Sequence, residues 1–165
     1  MIKKLFITMF GLGYFKYFPG SLASFITCVI FYILWSTIGI KDLFFPYIVF
    51  LIIVTICSIK LINNIYKDND AKEIVIDEFI GQNIPLLAMY NIEIKAKILQ
   101  TSFSGLSTEV WIISSFVLFR FFDILKPFPI NWIDKNIKNG LGVILDDIIA
   151  GMFSAITIYI FLLWI

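Results

Sequence analysis

The 165-residue chain has no histidine, a single arginine (Arg120) and only 15% charged residues. Without histidine, every mechanism that needs an imidazole base, nucleophile or metal ligand is excluded, a histidine-based lipid phosphatase among them. Cysteine is scarce too. Cys28 and Cys57 both lie in apolar runs, lack metal-ligand spacing and read as packing residues. A cysteine phosphatase needs an arginine just beyond its thiolate, whereas Cys57 is followed by Ser58-Ile59-Lys60. With a net charge of +1 there is no bulk field to attract a nucleic acid, so none is expected as a partner. Internal repeats and low-complexity tracts are missing as well.

What is abundant is apolar surface. Soluble domains are about 45–50% apolar and about 25% charged; here 60% of residues are hydrophobic. The chain is too short to hold a membrane bundle and a separate soluble domain. The expected fold is all-α, a small polytopic integral membrane helical bundle forming one membrane-embedded domain over residues 1–165.

A helix needs ~20 apolar residues to cross ~30 Å of hydrocarbon. Residues 17–40 carry no charge and hold a first span at about 21–38. A second, at 43–65, follows after the short tip at 39–42, which implies an antiparallel hairpin. The last 18 residues, 148–165, carry no charge and form the third. Helices at 74–90 and 106–126 are interrupted by polar groups and read as spanning or re-entrant. Residues 91–109 read as a polar connector between them.

Lysine placement gives the orientation. Lys3, Lys4 and Lys16 precede the first span, and Lys60, Lys67 and Lys72 follow the second. Arg120, Lys126, Lys135 and Lys138 precede the last, whereas the hairpin tip has only Lys41. This puts the N-terminus and the charged clusters on the cytoplasmic side and the C-terminus outside. Either two crossings or none then separate the second span from the last.

Ionisable groups at a bilayer are costly and mark function by default. At 100° per residue, Arg120, Asp123 and Lys126 spread over about 120° of one helix face and can line one pocket. An arginine fork grips phosphate oxygens in pairs and lysine adds a point charge, although an Arg–Asp ion pair beside a snorkelling lysine would use the same residues. Pro127 and Pro129 end this helix at Lys126. Asp146-Asp147 opens the last apolar helix, where the positive dipole end also favours acids, after a flexible Asn139-Gly140-Leu141-Gly142 loop. Gly151 and Ala155 offer a smooth face for close helix packing. Asp77-Glu78 is bracketed by Ile and Phe, so its burial needs a cationic partner: a metal, or the nearby lysines and arginine. Pro19-Gly20-Ser21-Leu22-Ala23-Ser24 opens the first span, with Ser21 as a cap and a helix start that can also bind an anion. Acid pairs beside one arginine and a few lysines suggest a divalent metal and a phosphate.

Other readings fit less well. Asp68-Asn69-Asp70-Ala71-Lys72 is similar to an aspartyl-phosphatase loop, but it follows a polar segment rather than a buried strand. The Asp-Gly…Ala-Arg signature of CDP-alcohol phosphotransferases is absent. An ion-conducting or transporter subunit would distribute its acids through the membrane depth, whereas these cluster on one side.

Four stretches together resemble the phosphatidylglycerophosphatase A family of bacterial inner-membrane enzymes. They are Gly11-Leu-Gly-Tyr14 with Phe18-Pro-Gly-Ser-Leu-Ala-Ser24; Glu73-Ile-Val-Ile-Asp-Glu-Phe-Ile-Gly81; Phe119-Arg-Phe-Phe-Asp-Ile-Leu-Lys-Pro-Phe-Pro129; and Gly140-Leu-Gly-Val-Ile-Leu-Asp-Asp-Ile-Ile-Ala-Gly151. Ser21, Ala23 and Asn139 stand where the family commonly has Thr, Gly and Gly. The resemblance implies a Mg²⁺-dependent lipid phosphomonoesterase that converts phosphatidylglycerophosphate to phosphatidylglycerol and phosphate in phospholipid biosynthesis, with its site facing the cytoplasm. The expected catalytic residues are Asp77, Glu78, Asp123, Asp146 and Asp147. Asp77, Glu78, Asp146 and Asp147 are the expected metal ligands, and Arg120, Lys126, Ser21 and Ser24 the expected phosphate contacts. Attack by water and an aspartyl-phosphate intermediate are both open, as is self-association.

Overall fold

A computed structural model describes residues 2–38, 44–66, 71–98 and 107–163. The hairpin tip at 39–42, the acidic stretch 68–70 and residues 99–106 of the connector lie outside the described residues. Those described form seven α-helices and no strand: α1 (Ile2–Ile7), α2 (Pro19–Ile33), α3 (Phe44–Tyr66), α4 (Ile76–Ile98), α5 (Thr108–Leu125), α6 (Ile130–Asn136) and α7 (Gly140–Leu163). The expected all-α bundle is what forms.

Helix boundaries follow local chemistry. Pro19 begins α2, its fixed φ suiting the first helical position, after Phe18 in a left-handed conformation (φ 52°). Ser21 therefore sits inside the first turn, and the expected Ser21 cap is replaced by a start two residues earlier. Ser107 caps α5, its Oγ accepting from the Val110 N–H. That helix stops where Lys126 turns left-handed (φ 43°) ahead of Pro127. The Asn139 Oδ1 accepts the N–H groups of Leu141 and Gly142, both at 3.1 Å, and so caps α7 at Gly140, eight residues before the expected start at 148. Residues 140–142 are therefore helix rather than a flexible loop, and Asp146 and Asp147 lie inside α7 rather than at its N-terminus. Likewise α4 continues to Ile98, which shortens the expected connector.

The centre of the bundle is the α4–α7 pair: α4 also packs on α2 and α5, and α7 on α3, α5 and α6. Glycines bring the helices together. A Cβ at Gly81 would lie 2.6 Å from the Asp147 carbonyl oxygen, and one at Gly151 would overlap the Gly81 carbonyl. Between α4 and α5, the Trp111 indole N–H donates to the Pro85 carbonyl at 2.9 Å.

These contacts fix the helix directions. Gly20 at the start of α2 meets Glu78 at the start of α4, and Arg120 near the end of α5 lies beside both. Gly140 at the start of α7 meets Ile59 and Asn63 near the end of α3. So α2, α4 and α7 begin at the end of the bundle where α3 and α5 finish. Between α3 and α7 the chain leaves that end along α4 and returns along α5.

The outer surface is apolar. On α5, Val110, Ile113, Val117, Phe121 and Ile124 form an exposed stripe at helical spacing, and Met152, Ile156 and Ile160 form another on α7. Apolar surface of this extent is what lipid covers. Pro19–Thr37, Phe44–Tyr66 and Gly140–Leu162 are each long and apolar enough to cross a membrane.

Candidate active site

The first turn of α4 carries Asp77 and Glu78 to the end of the bundle, and the close Gly81–Asp147 approach brings α7 alongside. Carboxylate oxygens of Asp77, Glu78 and Asp147 converge to within 4.8 Å of one another. Asp77 and Asp147 are buried and Glu78 is half-buried. Gly20 makes room for the Glu78 side chain, since a Cβ there would overlap Glu78 Oε1.

Around the three acids lies a cavity of about 300 Å³, walled by Pro19, Lys72, Asp123, Lys126 and Asp146 as well as the acids themselves. Five carboxylates (Asp77, Glu78, Asp123, Asp146 and Asp147) face it against two lysines, Lys72 and Lys126. Buried like charges at this density repel strongly without a further cation. Glu78 Oε2 is buried with no hydrogen-bond partner among the described residues. An all-oxygen set with a spare buried acceptor suits a hard divalent ion such as Mg²⁺. The residues fit that group.

Arg120 and Lys126 each hold an acid. Arg120 Nη1 lies 2.6 Å from Asp123 Oδ2, one helical turn away, and 3.9 Å from Glu78 Oε1. It stands behind these two acids and is not one of the cavity's wall residues. Lys126 Nζ lies 2.8 Å from Asp146 Oδ2 and 3.1 Å from Asp134 Oδ1. Partial burial pulls the lysine pKa down, but hydrogen bonds to Asp146 and Asp134 and their charges outweigh that, holding Lys126 above the ordinary lysine value. It stays cationic. Its left-handed backbone, uncommon for a non-glycine residue, directs the ammonium between these two acids.

The structure thus brings Asp77, Glu78, Asp123, Asp146, Asp147 and Lys126 to one cavity, with Arg120 directly behind. Asp146 stands apart from the three-acid group, paired with Lys126. The two serines do not join. Ser24 is fully buried, its Oγ donating to the Gly20 carbonyl at 3.0 Å, and Ser21 is absent from the cavity wall. Glu73 is turned away from the site, accepting from the Tyr66 hydroxyl at 3.2 Å. Its backbone carbonyl fills the space where a Cβ of Gly13 would be, which ties the Gly11-Leu-Gly motif to the segment leading into α4.

Sequence reasoning missed two residues. Asp134, on α6, is the second acid on Lys126; eight positions away and beyond two prolines, it gave no signal linking it to the site. Gly20, given no role of its own within the stretch that opens the first span, proves to be the space that Glu78 fills. The sign of that role was present, since a small residue at a helix start allows close approach, but its partner was not.

The chain matches the family model described as Phosphatidylglycerophosphatase A over residues 5–162. It is 34% identical over 161 residues to a Haemophilus influenzae protein named Phosphatidylglycerophosphatase A, covering 94% of this chain and 85% of the relative. An Escherichia coli protein of the same name is 31% identical over 156 residues, covering 91% and 77%. A Bacteroides thetaiotaomicron protein, provisionally named phosphatidylinositol-3-phosphatase, is 29% identical over 156 residues, covering 92% and 87%. No solved structure matches.

Proposed function

This chain belongs to the phosphatidylglycerophosphatase A family, and from that premise we propose that it hydrolyses phosphatidylglycerophosphate to phosphatidylglycerol and inorganic phosphate with Mg²⁺ as cofactor. In this reading it acts in phospholipid biosynthesis as a multi-pass protein of the bacterial inner membrane, with its cavity facing the cytoplasm. The single observation that carries the proposal is the convergence of Asp77, Glu78 and Asp147 oxygens within 4.8 Å. They stand at one end of an apolar bundle, with Lys126 in the cavity wall and Arg120 behind it.

Asp77, Glu78 and Asp147 would hold the metal. When bound, a divalent ion there supplies charge neutralisation and Lewis-acid polarisation of a phosphoryl oxygen. Lys126 holds the terminal phosphate, exchanging part of its contact with Asp134 and Asp146 for phosphate oxygens. Asp123 fixes Arg120, whose positive charge sits behind Glu78 and offsets the acids on that side. In the reaction a water oxygen forms a new bond to phosphorus while the bond from phosphorus to the glycerol oxygen breaks. A carboxylate of the cluster accepts the water's proton, and the departing glycerol oxygen takes one up. Asp146 keeps Lys126 charged and in place through the cycle. The lysine distribution, with Lys3, Lys4 and Lys16 before α2, Lys60 in the second half of α3 and Lys72 just before α4, supports the cytoplasmic placement.

The test is phosphate release by detergent-purified protein from phosphatidylglycerophosphate and, side by side, from phosphatidylinositol 3-phosphate. The expected result is Mg²⁺-dependent release that favours the first substrate, stops with EDTA and resumes when Mg²⁺ is restored. Faster release from the inositol lipid would overturn the substrate assignment, and release indifferent to EDTA would overturn the metal.

A further inference from the structure

A second cavity, of about 430 Å³, lies on the opposite side of the first turn of α4 and has only apolar walls. Ile76 and Phe79, one turn apart, face it, while Asp77 and Glu78 between them face the acidic cavity. The same helical turn therefore separates a polar site from an apolar one. Ile26 and Ile30 of α2 form a second wall, and Phe50 of α3 a third. Ile30 is 40% exposed and Phe50 49%, so the cavity reaches the outer surface of the bundle between two helices long enough to cross a membrane. Phe6 and Phe10 close it on the side of the N-terminal segment.

We propose that this cavity binds an acyl chain of the phospholipid whose phosphate occupies the acidic cavity. The inference rests on the phosphatidylglycerophosphatase reading. Three observations select this occupant. The walls carry no polar side chain, so they offer nothing to a headgroup and suit a hydrocarbon chain. The cavity reaches the surface that faces lipid. It also adjoins the catalytic cavity across one helix diameter, ~10–12 Å with side chains, a distance that the extended glycerophosphate arm of one substrate molecule bridges. Holding a chain here adds binding that is equal in the ground and transition states, so it sets the affinity for a long-chain substrate rather than the rate of the bound one.

The experiment compares phosphate release from dioleoyl- and dihexanoyl-phosphatidylglycerophosphate, with Ile26→Trp and Ile30→Trp filling the cavity and Ile113→Trp, on the outer face of α5, as control. The expected result is a KM for the dioleoyl substrate raised about ten-fold with kcat unchanged, the signature of lost ground-state binding, so that its preference over the dihexanoyl substrate collapses in both cavity variants and not in the control. A preference unchanged in both would overturn the proposal. Where a tryptophan variant fails to fold, crosslinking decides. A dioleoyl-length phosphatidylglycerophosphate carrying a mid-chain diazirine, irradiated with Asp147→Asn protein, is expected to label the peptides around Ile26, Ile30 and Phe50. Equal labelling by a phosphatidylcholine of the same chain, or labelling spread over the outer faces of α5 and α7, would mean ordinary bilayer contact and overturn the proposal. Wild-type protein that releases phosphate from neither substrate would instead sink the underlying phosphatase reading.

Discussion

Gly20, at the start of α2, faces the Glu78 carboxylate so closely that a Cβ at position 20 would overlap Glu78 Oε1. The glycine is there for space, not for backbone freedom, because it lies within regular helix. In a helix, alanine is more favourable than glycine by roughly 0.5–1 kcal/mol, so Gly20→Ala is expected to leave the bundle folded. It displaces a carboxylate of the three-acid group, and a displacement near 1 Å costs on the order of 10²-fold in rate. Steady-state kinetics beside a thermal melt in detergent checks this. A variant with wild-type kcat/KM would show that Glu78 needs no fixed position.

Lys126 and Asp146 form a nearly buried pair, with Asp146 8% and Lys126 29% exposed. Removing one partner of a buried pair costs about 3–5 kcal/mol because the other charge is left uncompensated; the partial exposure of Lys126 places this case near the lower end. Lys126→Met is therefore expected to melt well below wild type, and Lys126→Met with Asp146→Asn to recover most of the loss. Melting temperatures of the two single variants and the double measure the coupling. Strictly additive losses would mean the pair contributes nothing.

Much of this was legible in the chain and part was not. The three helices long and apolar enough to cross a membrane, the all-α class and the gathering of Asp77, Glu78, Asp123, Asp146, Asp147 and Lys126 at one end followed from hydropathy and from charges confined to the edges of apolar runs. Helix starts did not. Using the Asp146-Asp147 pair as a boundary placed α7 eight residues late, because buried acids look like an interface to a reading that cannot see their partners. The split between Asp147, which joins Asp77 and Glu78, and Asp146, which takes Lys126, depends on which way each side chain points. Adjacent helical residues diverge by 100°, so the sequence could say that the two differ but not which did what. Asp134 was beyond reach for a similar reason, since its partner is chosen by how α6 folds back after Pro127 and Pro129.

A ligand that binds only the folded state stabilises it by about 2.7 kcal/mol at one hundred times its Kd. Mg²⁺ is expected to raise the melting temperature of the wild-type protein and to lose that effect in Asp77→Asn, Glu78→Gln and Asp147→Asn. Melting with Mg²⁺ and with EDTA reads this without any turnover. An undiminished Mg²⁺ shift in all three variants would place the ion elsewhere.

Gly81 sets the spacing between α4 and α7, where a Cβ would lie 2.6 Å from the Asp147 carbonyl oxygen and 2.8 Å from the Phe119 ring. Gly81→Val is expected to destabilise the bundle by roughly 1–3 kcal/mol through overpacking and to pull Asp147 away from Asp77 and Glu78. The check is a lower melting temperature together with a lost Mg²⁺ shift. A variant that melts early but keeps the full shift would show that the three acids do not depend on this crossing.

The central claim is that Asp77, Glu78 and Asp147 form one metal-dependent phosphatase centre. It is tested most directly by phosphate release from phosphatidylglycerophosphate with Mg²⁺ and with EDTA, using wild-type protein and a folded, membrane-inserted Asp147→Asn variant. The account expects release only from wild type and only with the metal. Asp147→Asn protein that turns over at the wild-type rate would contradict it.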